Sequence, residues 1–577
     1  MPDERASSSV KEMKKAAPTR RILLKGICYG ALAASMLWAL FQTYRSPVHV
    51  NDDILITLTY AKNLAAGNGF VFNQPPASLG TTSPLSALLF AAIKAMVPSI
   101  DLIRLAIWVS GLAWCGCMAA VFVFRKAFGL DLWHSAILAV AMTCVNAPYL
   151  GGEMAPFQCV LLLTIGLYFC GLYALAGVGC ALLFLVRGEG ALLFPLLFAY
   201  RAFVSVRSGV MPRGPELRAL LKELAAMSAG LGVVLGVWSV YAYVTFGAVL
   251  PETLKIKMIQ HKIGWPGALP YTATVVHVFR DIILGHSWQA YGVPAFAAAG
   301  AFLAFRKSPA FVIYAAWSMG QMLGYTILGV TGYWWYLYHV LFFSCALLAL
   351  GTAFFVERIG AWSRRPIAAA IAVPLLFALA LAPTWKNMRD RSVHWLEKGG
   401  DRRSYPYMQI AEWLNRHAQP TDSIAAGEIG YLGYYSNNRV IDLAGLVSPE
   451  VTKMLVAMHE AHMTDVYGRH EAAVFRKFQP DYFMRIYGSK PDAIPPPPAT
   501  IRLGEVKYDF VPGQLYHAPP WVPGGNCTWR TSTAGPRAKN SRFRWRLIAR
   551  GRPAPTGKRR PQPFIAQLQL HPDGAAC

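Results

Sequence analysis

Acid is what this chain has least of. Asp and Glu number 30 against 55 Lys and Arg, and charged residues of both signs make up only 15% of the 577. So little charge, beside 55% hydrophobic residues and a mean hydropathy of +0.34, argues against a soluble globular protein of this length. CxxC spacing is missing as well, which argues against zinc ribbons and thioredoxin-type redox pairs. Of the ten cysteines, eight lie in or beside apolar runs and only Cys527 and Cys577 lie further on, so a disulfide framework is not expected either. Cys115 and Cys117, inside one such run, read as small apolar filling. No internal repeat is present.

What fills the chain instead is a series of apolar blocks, at 22–44, 102–124, 133–145, 157–173, 174–186, 190–204, 224–246, 291–305, 310–328, 337–356 and 367–383. Each approaches the ~20 residues that a helix needs to cross ~30 Å of hydrocarbon, so about eleven spans are expected. The net charge of +25 is not one patch. Basic clusters precede the first block, follow the second at Arg125 and Lys126, fill the loop from Arg201 to Lys222, and recur at Arg306 and Lys307 and at Arg358, Arg364 and Arg365. Threading the blocks alternately puts all of them on one side, which the positive-inside rule makes the cytoplasm. The charge is therefore explained without nucleic acid. The 22–44 run exceeds a usual signal-peptide core and fits an uncleaved signal-anchor.

The expected fold is thus an α-helical polytopic protein of the inner membrane with a small C-terminal extracytoplasmic α/β domain. Residues 1–21 form a basic cytoplasmic start, 22–383 the transmembrane domain, 384–523 the outer domain and 524–577 a basic tail. The first outer loop, 45–100, carries apolar helical stretches at 53–66 and 84–97, too short to span; both are expected to lie at the membrane surface. In the outer domain an amphipathic helix at 405–419 precedes strand-like runs at 423–426, 439–443 and 482–486, separated by helices, the alternation of an α/β unit. From 530 onward Arg, Lys, Pro and Gly dominate without periodicity, and disorder is expected; such a tail either touches anionic lipid or glycan or is a non-functional extension.

Two adjacent carboxylates, Asp52 and Asp53, stand at the start of the first loop helix. At a helix N-terminus such a pair can deprotonate a hydroxyl as general base or hold a divalent cation; it can equally be a helix cap and a solvated acid. The surrounding segment DDILITLTYAKNLAAGNGFVFN, followed by GTTSPL, resembles the DD-x-x-I-T-x-R-Y-A-x-N-L-x-x-G-x-G-x-V-x-N signature of the GT-C superfamily of integral-membrane glycosyltransferases, in the bacterial branch that includes mycobacterial terminal arabinofuranosyltransferases. Thr59 stands where that branch commonly has Arg.

The resemblance extends along most of the membrane domain. GGEMAPF (151–157) is similar to the family's S-G-x-E-T-x-L-F, and LVRGEG (185–190) to T-R-P-E-G. FGAVLPETLKIK (246–257) is similar to Y-G-x-x-L-P-N-T-x-Y-A-K. It implies an inverting transfer, outside the membrane, of a sugar from a polyprenyl phosphate to a cell-envelope glycan or lipid. Asp52 or Asp53 would be the base and the other its electrostatic or metal-binding partner. Glu153 would be a second acid, with Mg, Mn or Ca as the divalent cation that Asp52, Asp53 and Glu153 could hold. Arg187, Lys255 and Lys257 would meet the donor phosphate, unless Arg187 serves only as an ion pair with Glu189 and the lysines are solvated. The aromatic cluster 332–339 reads as an interfacial belt or as a sugar platform with His339 on phosphate. GEIGYLGYYS (427–436) and VIDLAGL (440–446) also resemble segments of the same proteins, where packing is expected. The competing classes are a flippase of lipid-linked saccharides, which would carry ionisable groups at mid-membrane, and a non-catalytic envelope assembly protein.

Overall fold

The computed structural model describes residues 3–73, 77–143, 151–207, 214–251, 253–265, 268–280, 292–362, 375, 404–463, 466–486, 500–503, 506–509 and 545–550. It is mostly helical. The chain runs through α1 (Asp3–Arg45), α2 (Asp52–Ala65), α3 (Pro84–Met96), α4 (Leu102–Val123), α5 (Leu132–Met142), α6 (Met154–Phe169) and α7 (Tyr173–Val186). It continues with α8 (Leu193–Arg207), α9 (Pro215–Phe246), α10 (Thr253–Ile259), α11 (Tyr271–His277), α12 (Gly292–Lys307), α13 (Pro309–Ile327) and α14 (Tyr338–Trp362).

Among the described residues, five helices are long and apolar enough to cross a membrane: Ile22–Arg45, Leu102–Val123, Gly188–Val206, Leu217–Phe246 and Trp334–Arg358. Their apolar windows divide by position. Leu102–Val123 and Trp334–Arg358 are 61% and 67% buried and form the middle of the bundle, whereas Ile22–Arg45 and Leu217–Phe246 are 17% and 11% buried and present their sides outward. About eleven spans are expected from hydropathy alone, and several of the shorter blocks form helices below spanning length. α5, α6 and α7 have 11, 16 and 14 residues, and at 1.5 Å per residue none reaches ~30 Å by itself. The 367–383 block lies outside the described residues apart from position 375.

Small residues bring the helices together. In α7 and α9, a Cβ on Gly177 would lie 1.9 Å from Met227 O, and one on Gly230 would lie 2.1 Å from Ala174 O. α12 and α14 meet the same way, through Gly300 against Leu347 O and Gly351 against Phe296 O. Within lipid, where apolar surface gains nothing by leaving the solvent, such close backbone approach is what holds helices in contact.

A short antiparallel pair, β1 (Leu269–Pro270) with β2 (Thr331–Gly332), joins two loops of the membrane domain. The C-terminal domain begins with α15 (Ser404–His417) and builds one mixed sheet from β3 (Ser423–Ala426), β4 (Arg439–Asp442), β5 (Tyr482–Ile486), β6 (Thr500–Leu503), β7 (Val506–Asp509) and β8 (Trp545–Arg550), in the order β4-β3-β5-β8-β7-β6. β3 pairs in parallel with β4 and β5, and α16 (Gly430–Tyr435) connects the first two. α17 (Pro449–Glu460) and α18 (Val466–Phe478) lead into β5. β6, β7 and β8 continue the sheet antiparallel. The expectation of a disordered tail over 524–577 is therefore corrected at 545–550. That run joins β-favouring Trp and Ile to Leu and Ala, and the Arg, Lys and Pro around it mask the signal in composition.

This domain is not a separate bead. Tyr407, Ile410, Leu414, Ile424 and Leu432 share one buried core with Leu55, Leu58 and Tyr60 of α2, Phe70, and Phe90 of α3. Asn73 and Val440 exchange two hydrogen bonds, of 2.8 and 3.0 Å, and Ser78 donates to Val447 O at 2.9 Å.

Candidate active site

The first loop and the membrane-domain segments around Glu153, Arg187, Lys257 and Tyr336 line an open cavity of about 720 Å³, part of it open to solvent, to which the C-terminal domain adds one residue. Asn51, Asp53 and Thr57 reach it from α2, Thr81 and Thr82 from the loop, and Glu153 from the start of α6. Arg187 enters from the end of α7, Thr253 and Lys257 from α10, Trp335 and Tyr336 from the turn before α14, and Leu446 from the C-terminal domain. A smaller, more apolar recess adjoins it, sharing Ile54, Thr57, Gly152 and Glu153 and bounded by Phe90 and Val109.

Each charged side chain is placed by a local device. Asn51 caps α2 by accepting the Asp53 N–H at 3.1 Å, which leaves the exposed Asp53 carboxylate in the first turn, at the favourable end of the helix dipole. Glu153 precedes α6 after Gly151, whose φ of +99° suits glycine and turns the chain sharply. Arg187 is extended and 4% exposed. Its Nη1 donates to Glu153 at 2.6 Å and its Nε to Glu189 at 2.5 Å, while the guanidinium lies 5.1 Å from the Tyr336 ring centre. Tyr325 O–H completes Glu189 at 3.0 Å. Lys257 Nζ rests 4.1 Å from the Tyr333 ring centre. Burial alone would lower the Lys257 ammonium, but Tyr333, Tyr336 and the Asp53 carboxylate outweigh it and hold its pKa above the ordinary lysine value.

Asp52 does not line the cavity. Its Oδ2 accepts the N–H groups of Ile429 and Gly430 at 3.2 and 2.9 Å, and its Oδ1 that of Tyr431 at 2.9 Å. Burial first, and the Glu428 carboxylate second, push Asp52 up to about 7 from 3.8, against the pull of the Gly430 and Tyr431 N–H groups. The folded protein thus keeps this proton up to about pH 7 while the unfolded chain releases it near 3.8. The contribution is full below the unfolded value and is lost as pH rises to about 7. Asp52→Asn should flatten that part of the pH dependence of the thermal midpoint in detergent, read as the difference between wild-type and variant curves from pH 4 to 7.

Of the other expected site residues, Lys255 is exposed on α10 and does not line the cavity. His339 is buried in the first turn of α14, 4.8 Å from the Trp317 ring, also outside the lining. Among the described residues no group of three or more His, Cys, Asp or Glu side chains could hold a metal. The Asp52, Asp53 and Glu153 set is not assembled, because the Asp52 oxygens are taken by backbone N–H groups and Glu153 is held by Arg187.

The profile of DUF8728, a domain of unknown function, matches residues 393–533, less than half of the chain and most of the C-terminal domain. No curated protein matches the chain. Among solved structures, the crystal structure of ArnT from Cupriavidus metallidurans bound to undecaprenyl phosphate matches at 13% identity and a TM-score of 0.47, over 74% of this chain and 88% of that one.

Sequence reasoning passed over the hydroxyl-bearing wall of Thr57, Thr81, Thr82 and Thr253, although all four stand inside the quoted segments. It also missed Leu446, whose segment 440–446 reads as packing alone.

Proposed function

We propose that the protein is a membrane glycosyltransferase that moves a sugar from a polyprenyl phosphate to a glycan or lipid of the cell envelope, on the outer face of the membrane. The observation that carries this reading is that a carboxylate and an ammonium, Asp53 and Lys257, line one cavity beside hydroxyl groups that can hold a sugar. Asp53 takes the proton of the acceptor hydroxyl, whose oxygen bonds to the anomeric carbon from the face opposite the leaving group. The anomeric C–O bond to phosphate breaks with its electrons on the phosphate oxygen, and Lys257 stabilises the anion as it forms. Inversion follows from this single displacement. Arg187, doubly paired with Glu153 and Glu189, serves in this reading to fix Glu153 toward the cavity, where its carboxylate can receive sugar hydroxyls.

The sequence resemblance to GT-C enzymes supports the lipid-linked donor, and so does the general absence of nucleotide sugars outside the membrane. A flippase would carry its ionisable groups at mid-membrane; here Glu153 and Arg187 stand at the ends of α6 and α7. Comparing envelope glycans of cells with and without the protein by mass spectrometry tests the reading: a defined missing sugar supports it, and identical glycans overturn it. Lys257→Ala is expected to lower kcat/KM for the polyprenyl-phosphate donor by about 10²–10³-fold, the loss usual for one group that stabilises a developing anion. An unchanged value would remove Lys257 from the proposed chemistry.

A further inference from the structure

Asp52 stands next to the proposed base, yet its contacts all lead away from the cavity. Besides the three N–H groups it accepts, the turn at 429–431 is pressed so closely against α2 that a Cβ on Gly430 would lie 1.9 Å from the Asp52 carbonyl oxygen. Tyr431 O–H donates to Val50 O at 2.6 Å, and Lys62 Nζ to Tyr434 O at 2.8 Å. One edge of the C-terminal domain is thereby fastened along α2.

The same domain grips the opposite wall. Ile256, Ile259 and Ile263, in and just after α10, share a buried core with Ile441, Val451 and Leu455. Both grips grow from one rigid unit, because β3 leads into the turn that meets Asp52 and its parallel neighbour β4 leads into the segment that meets α10. Leu446 follows β4 and is the domain's own contribution to the cavity lining. The acid-bearing wall is α2 and the ammonium-bearing wall is α10, so a single sheet spans both.

We propose that Asp52 is a positioning residue: its two side-chain oxygens clasp the C-terminal domain onto α2, and that domain, holding α10 at the same time, sets the spacing of Asp53 and Lys257 across the cavity. The proposal rests on the reading of Asp53 as base and Lys257 as the partner of the phosphate. It assigns the two adjacent acids opposite tasks, one turned to substrate and one to the domain. Lys257 also leans on Tyr333 of the membrane domain, so loosening the clasp should misplace the base more than the phosphate partner.

The test uses full-length wild type, Asp52→Asn and Gly430→Ala in detergent, read by hydrogen exchange and by turnover of a polyprenyl phosphate carrying arabinose or mannose. Gly430→Ala opens the clasp from the other side with the carboxylate intact. Both variants should exchange faster at 429–431 and at 253–259, with α14 unchanged. Both should lose about 10- to 100-fold in kcat while the donor KM stays within about threefold, as expected when a base is displaced by about 1 Å. Turnover abolished in Asp52→Asn with exchange unchanged would make Asp52 a participant in the chemistry and overturn the proposal. So would faster exchange at wild-type turnover, or a change confined to KM. Should wild type turn over neither donor, the reading of the site fails separately, and the clasp stands or falls on exchange at 253–259.

Discussion

Asp53→Asn is expected to lower sugar transfer by about 10²–10⁴-fold, the usual contribution of a general base, while leaving the protein folded. The fold should survive because the Asp53 side chain is exposed, and the Asn51 cap that starts α2 uses the backbone N–H of residue 53, which the substitution keeps. The amide is nearly isosteric with the carboxylate but cannot accept the acceptor's proton. Cells carrying only this variant should show the glycan profile of cells lacking the protein, with an unchanged thermal midpoint of the purified variant. Wild-type glycans would sink the assignment of Asp53. A fallen midpoint would mean that its side chain supports structure instead.

Arg187→Met carries the largest expected cost in stability. It strands the Glu153 and Glu189 carboxylates, whose side chains are 20% and 8% exposed, without the cation between them. Removing one partner of a buried ionic group typically costs about 3–5 kcal/mol, because the remaining charge keeps its desolvation penalty and loses its compensation. Thermal unfolding in detergent should register that loss. The triple variant Arg187→Met, Glu153→Gln, Glu189→Gln should recover most of it, since the stranded charges are gone. If Arg187→Met alone is as stable as wild type, the triad is not the brace that its geometry suggests.

Much of this site could be read from the residues because short segments bring their chemistry with them. Asp53, Ile54, Ile56 and Thr57, Gly80 through Thr82, Gly152 through Met154, Arg187, Thr253 with Lys257, and Trp335 with Tyr336 all fall within segments singled out by sequence, and all line one cavity. What the residues could not separate was Asp52 from Asp53. Neighbours at a helix start point about 100° apart, and what meets Asp52 lies 377 positions away or further, in a turn no local pattern connects to it. Lys255 and Lys257 were separable in principle: two residues turn a helix by about 200°, so only one of them can face a given wall. Span number was hardest, because short helices packed among long ones carry the same hydropathy as helices that cross alone.

The order of strands in the C-terminal sheet bears on how the protein is made. β8 lies between β5 and β7, and β6 and β7 have no ladder to β5 except through it. Until the ribosome has passed residue 550, the nascent domain can be only a three-stranded fragment and a loose hairpin, each with an open edge that invites wrong partners. The membrane helices emerge long before that point, so insertion must precede closure of the sheet, and the protein matures from the bilayer outward.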